Sequence, residues 1–177
     1  MNFPLLKTFK VSSLVSYFLN RKLLEYRNQY DSWDEGNFDK NRYQSNNLLH
    51  WDDEEFLEFV RDDLSEIVSN QLGVQKDRFK CHFVHFIDYE SGGFMSSHKH
   101  SHSEDFVVFI YLKDCKGGKT VFYLNDYDEE SSERTLIKLA PKKNLGAIFS
   151  SLVEHRGDIT EDEKRIFVVG IKLNNTY

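Results

Sequence analysis

The chain has 177 residues, a formal charge of -6 and a pI near 5.6. That length suits one domain with a core that needs no disulfide staples, and the acidic balance excludes the basic stripe that nucleic-acid phosphates demand. Fifteen Phe and nine Tyr favour a β-rich core.

The apolar patch from Phe3 to Leu6 is interrupted by Lys7 and Lys10, far short of the ~20 apolar residues of a spanning helix. No membrane span and no cleavable leader are therefore expected. Cys81 and Cys115 have neither metal-knuckle nor disulfide spacing. Two structural thiols and a reducing, cytoplasmic setting are the expectation.

Residues 11–26 carry Leu14, Tyr17, Phe18, Leu23 and Leu24 at helical spacing, which predicts a first helix packed outside the main sheet. Residues 28–47 are polar, aperiodic and long for a connection, and read as a loop. Asp52 or Asp53 then caps a second helix whose stripe is Phe56, Phe59, Val60, Leu64, Ile67, Val68 and Leu72, with Gly73 closing it.

After Gln75 the period shortens to that of strands, predicted over residues 78–89, 106–112, 119–124, 135–139, 146–150 and 165–173. Gly92-Gly93, Gly117-Gly118, the acidic segment 125–133 and residues 141–144 supply the turns. The expectation is a mostly β (α+β) fold, with residues 1–75 as helical support and 76–177 as an antiparallel sandwich or barrel.

The chemistry-bearing stretch is Gly92-Gly-Phe-Met-Ser-Ser-His98-Lys-His100-Ser-His102. In extended chain, residues two apart project to one side, so His98 and His100 can face a single metal ion. His155 is a distal third imidazole. His85 falls on the face of Tyr89 and Ile87, as either a pocket wall or a hydrogen-bonded core residue.

The segment Tyr89-Glu-Ser-Gly-Gly-Phe-Met-Ser-Ser-His98 resembles the Tyr-x-x-Gly-Gly…His segment of prolyl-4-hydroxylase-like oxygenases. The likeness continues through Tyr111-Leu-Lys-Asp, Gly117-Gly-Lys-Thr-Val-Phe122, Gly146-Ala-Ile-Phe-Ser150, His155 and a basic residue about ten positions on. It implies a double-stranded β-helix of the jelly-roll or cupin-like kind. Further implied are Fe(II) and 2-oxoglutarate as cofactors, with ascorbate as an accessory reductant, and hydroxylation of a C–H bond with O₂ on a protein, peptide or small molecule. The metal ligands would be His98, His100 and His155. Tyr89, Tyr111 and a cation would hold the 2-oxoglutarate carboxylate, since a dicarboxylate calls for charge-assisted donors; Arg165 is the expected cation, with its neighbour Lys164 the alternative.

One departure is visible. Where that family has His-x-Asp, this chain has His98-Lys-His100. Either His100 binds in the Asp position, or Glu104 or Asp105 restores the carboxylate, or the site is impaired and the fold serves as a binding module. The spacing of Gly92, His98, His100 and Glu104 also resembles the first motif of cupins, which leaves a three-histidine dioxygenase without keto acid as the rival.

Overall fold

The first element is a strand the sequence does not announce. In the computed structural model, which describes residues 5–29, 34–35, 41–100, 103–124 and 136–174, β1 (Leu6–Lys10) pairs antiparallel with a much later strand. Ser12 caps the next helix, α1 (Ser13–Gln29), by accepting from the Val15 amide at 3.2 Å. The two-residue β2 (Asp34–Glu35) and the three-residue β3 (Arg42–Gln44) lie inside the stretch expected to be loop.

Asp53, not Asp52, caps α2 (Glu54–Phe59), its Oδ1 accepting from the Phe56 amide at 2.9 Å. The expected single helix is interrupted by a π turn, Val60–Leu64, before α3 (Ser65–Leu72) ends at Gly73 with φ 67°. Lys22 of α1 reaches both Asp53 oxygens at 2.7 and 2.8 Å, so the cap also ties the two helical segments together.

The remaining strands are β4 (Phe79–Tyr89), β5 (Met95–His98), β6 (Phe106–Tyr111), β7 (Thr120–Tyr123), β8 (Leu136–Leu139), β9 (Leu145–Ser150), β10 (Glu154–Gly157) and β11 (Lys164–Leu173). They form a seven-stranded sheet ordered β1-β9-β6-β11-β4-β3-β2 and a four-stranded sheet ordered β5-β10-β7-β8, with antiparallel pairing throughout. Phe122 of the small sheet packs between Phe109 and Phe149 of the large one, ring centroids 6.2 and 5.0 Å away. Two antiparallel sheets face to face in this way are the double-stranded β-helix that the sequence predicts.

The helices cover the other face of the large sheet, where Leu19, Leu23, Phe56 and Leu64 bury against Phe86, Ile110 and Phe167. This agrees with a first helix outside the barrel. Phe167 is fully buried, with its centroid 5.6, 6.2 and 6.4 Å from those of Phe86, Phe56 and Phe59. Phe167→Ala is expected to cost about 3–5 kcal/mol, read as a lower urea midpoint at unchanged slope.

No helix among the described residues is long and apolar enough to cross a membrane. His102 and the acidic segment 125–133 lie outside the described residues, as does part of the 28–47 stretch.

Candidate metal centre

The small sheet brings two of the histidines together by register alone, since β10 pairs with β5 so that His155 stands opposite His98. On its other side β10 pairs with β7 and sets His155 beside Phe122. His100 lies just past the end of β5, held there by its amide, which donates to the Ser151 carbonyl at 3.0 Å. Its ring stacks on Phe83 of β4 at 5.9 Å and 14°. One side chain from the tail of β5 therefore spans from the small sheet to the large one.

The three imidazoles have ligand atoms all within 4.8 Å of one another, a grouping that could hold a metal ion. The Nδ1 of His98 is 2.9 Å from the Ser96 carbonyl and that of His155 is 3.0 Å from the Val153 carbonyl. A carbonyl only accepts, so each Nδ1 carries the proton and each Nε2 keeps its lone pair for a metal. Burial, then the neighbouring His98, pushes the pKa of His155 down to about 3 and that of His100 down to about 4. Both are neutral at physiological pH, the state in which imidazole ligates. The donor set fits a divalent transition ion.

Beside the histidines opens a cavity of about 220 Å³ whose walls include Phe109, Phe149, Ile166, Tyr89 and Thr120. The other expected residues fall as follows. Tyr89 is buried on the cavity wall, its hydroxyl 3.6 Å from the Met95 sulfur. Tyr111 is also buried, but its hydroxyl is 2.6 Å from Thr120 Oγ1, and Thr120 rather than Tyr111 meets the cavity. His85 both lines the cavity and is tied to the chain, with Nδ1 2.9 Å from the Ser45 carbonyl.

The expectation for Arg165 is corrected by strand parity. Arg165 stands opposite Asp88, on the helix-covered face of β11, and pairs there with Glu163 and with Asp88 at 3.8 Å. Arg27 of α1 meets the same Asp88 at 2.6 Å. Burial outweighs the two arginines and pushes the Asp88 carboxyl up to about 6.

Lys164 is the residue on the cavity face. It stands opposite Tyr89, is fully buried, lies 4.3 Å from the Tyr89 ring centroid, and donates to the Gly118 carbonyl at 3.0 Å. Burial pulls its pKa down to about 8. Asp105 is likewise removed from the metal set, because its carboxylate accepts from the Leu173 amide at 2.8 Å and faces Lys172 at 3.3 Å.

Arg42 and Gln44 of β3 also line the cavity, joined to each other at 2.6 Å. No sequence signal marks them, for they sit in a polar segment without period. Gly93 explains the tight entry to β5: a Cβ there would fall 2.6 Å from the Asn41 carbonyl oxygen and 2.9 Å from that of Glu90.

No family model matches the sequence, and no curated protein matches it. Solved structures do match in fold. A viral collagen prolyl hydroxylase from Paramecium bursaria Chlorella virus-1, in complex with 2-oxoglutarate, aligns at TM-score 0.63 and 16% identity over 97% of each chain. A Trichoplax adhaerens prolyl hydroxylase bound to a hypoxia-inducible-factor peptide aligns at 0.69 and 13% identity, over 95% of this chain and 83% of that one. HygX from Streptomyces hygroscopicus, with nickel, 2-oxoglutarate and hygromycin B, aligns at 0.71 and 12% identity over 96% and 83%. The chain shares the fold of 2-oxoglutarate-dependent oxygenases.

Proposed function

We propose that this protein is a Fe(II)- and 2-oxoglutarate-dependent oxygenase of the prolyl-4-hydroxylase-like type, hydroxylating a C–H bond of a peptide, protein or small molecule. The observation that carries the reading is the convergence of His98, His100 and His155 beside a cavity, with the buried Lys164 on the cavity-facing side of β11 opposite Tyr89. The fold neighbours include proteins solved with 2-oxoglutarate and with a hypoxia-inducible-factor peptide or hygromycin B, which supports the cosubstrate and leaves the substrate class broad.

When bound, the metal and keto acid supply the oxidising chemistry, coupled to decarboxylation to succinate. The chain supplies the rest. His98, His100 and His155 would hold the metal through neutral nitrogen donors. Lys164, as its ammonium, is the partner for the far carboxylate of the diacid, with the Tyr89 hydroxyl a second donor. Phe109, Phe149 and Ile166 keep water from the reacting centre and strengthen these contacts.

The test is keto-acid turnover. The Fe(II)-loaded protein in air, with ascorbate as reductant, is expected to convert 2-oxoglutarate to succinate, with further stimulation by the right substrate. A protein that binds Fe(II) and 2-oxoglutarate yet releases no succinate would refute the oxygenase reading.

The imidazole of His100 in place of a carboxylate favours a second reading, a three-histidine dioxygenase that takes no keto acid. It predicts metal binding with no effect of 2-oxoglutarate on it.

A further inference from the structure

A site with three neutral ligands leaves the full charge of a divalent ion inside a largely apolar pocket, where uncompensated charge is costly. Among the described side chains, a buried carboxylate stands directly behind one of the ligands. Glu104 is only 5% exposed, and its Oε1 lies 3.6 Å from Nδ1 of His100. His98 and His155 have backbone carbonyls at that position. His100 has an anion.

The chain fixes this placement from both ends. The His100 amide donates to the Ser151 carbonyl at 3.0 Å, and the Ser151 amide donates to the Asp105 carbonyl at 3.0 Å. The Asp105 amide in turn donates to the Ile171 carbonyl of β11 at 2.8 Å, and its carboxylate holds the Leu173 amide. Glu104 lies between these anchors, with the Ser103 hydroxyl donating to its other oxygen. The carboxylate is therefore held beside Nδ1 of the imidazole.

We propose that Glu104 restores the missing anionic ligand at one remove, as a positioning and charge-compensating residue that acts through His100. The carboxylate, facing Nδ1, would orient the ring with Nε2 toward the ion and accept from the Nδ1–H once the 3.6 Å gap closes on metal binding, which would make His100 a more basic donor than a neutral imidazole alone. No proton leaves the pair. The inference rests on the metal-site reading above and deepens it: the negative charge that a His-x-Asp motif places on the ion is here placed behind the second histidine.

The experiment is a Co(II) titration of the intact chain, followed by visible absorbance and competition with a chelator, with folding checked by circular dichroism. Wild type is expected to bind one Co(II), and Glu104→Gln to bind it about 10–100-fold more weakly. In a His100→Ala background, adding Glu104→Gln should change the residual affinity less than twofold, because the imidazole that relays the charge is gone. If Glu104→Gln fails to fold, Glu104→Asp keeps the charge but withdraws it by one methylene, and a several-fold loss is expected. Single-variant affinities within twofold of wild type would overturn the proposal. So would an equal loss with and without His100, which would mean that the carboxylate acts on the ion directly. Failure of wild type itself to take Co(II) would instead defeat the metal-site reading beneath it.

Discussion

Lys164→Ala is expected to weaken 2-oxoglutarate binding on the order of 10²–10³-fold, whereas Arg165→Ala leaves it within twofold. The two neighbours point to opposite faces of β11, because Lys164 stands opposite Tyr89 on the cavity side and Arg165 opposite Asp88 on the helix side. A charge-assisted contact to a carboxylate is worth most where both groups are dry, and Lys164 is fully buried. Loss of Arg165 would instead remove a partner of buried Asp88 and lower stability by about 1–3 kcal/mol, measured by denaturation.

The same lysine gives the binding a pH signature. Burial lowers its pKa from 10.5 to about 8, so the unliganded protein holds the charged form below that value and loses it above. A dicarboxylate binds the charged form. Affinity should be flat toward neutral pH and fall as pH rises past about 8, approaching tenfold per unit. Lys164→Arg should abolish that fall up to pH ~10, since guanidinium stays protonated. Calorimetric titration of metal-loaded protein reads both effects, and a profile unchanged by the substitution would remove Lys164 from the site.

His155→Ala is expected to reduce metal affinity roughly 10²–10³-fold, by analogy with the ~10–16 kcal/mol that four ligands contribute at a structural zinc site. His155 is the most enclosed of the three, 4% exposed and 4.7 Å from the ring of Phe149. Its Nδ1–H is satisfied by Val153, so the ring cannot turn its donor nitrogen elsewhere without stranding that proton. Metal content after dialysis measures the effect, and circular dichroism separates it from loss of the fold. Retention of a full equivalent of metal would show that the ion, if bound, uses other residues.

Much of this was legible because the informative residues carry their own chemistry. His98, His100 and His155 are distinctive types at telling positions, and the β periodicity after residue 75 places them on a barrel. The choice between Lys164 and Arg165 was not legible. Alternation marks a face only when one side of a strand meets water, and β11 is covered by helices on one side and faces the small sheet on the other. Its Ile166-Phe-Val-Val run is apolar on both faces, so parity could be read only from the pairing of Lys164 with Tyr89.

β1, β2, β3, β5 and β10 carry no strand signal in the sequence, for the opposite reason. Each is short and rich in polar residues, as in Met95-Ser-Ser-His98 and Glu154-His-Arg-Gly157, and becomes a strand only through its pairing partners. The π turn at Val60–Leu64 likewise leaves no mark on an apolar stripe that already reads as helical. Glu104 could be seen as a carboxylate near the histidines, but its position behind His100 is set by the links through Ser151 and Ile171.

The most direct measurement of the central claim is an anaerobic titration of Fe(II)-loaded protein with 2-oxoglutarate. A weak visible charge-transfer band that saturates near one equivalent is predicted, and it should disappear in Lys164→Ala at the same keto-acid concentration. Bound iron with no such band at any concentration of 2-oxoglutarate would contradict the account.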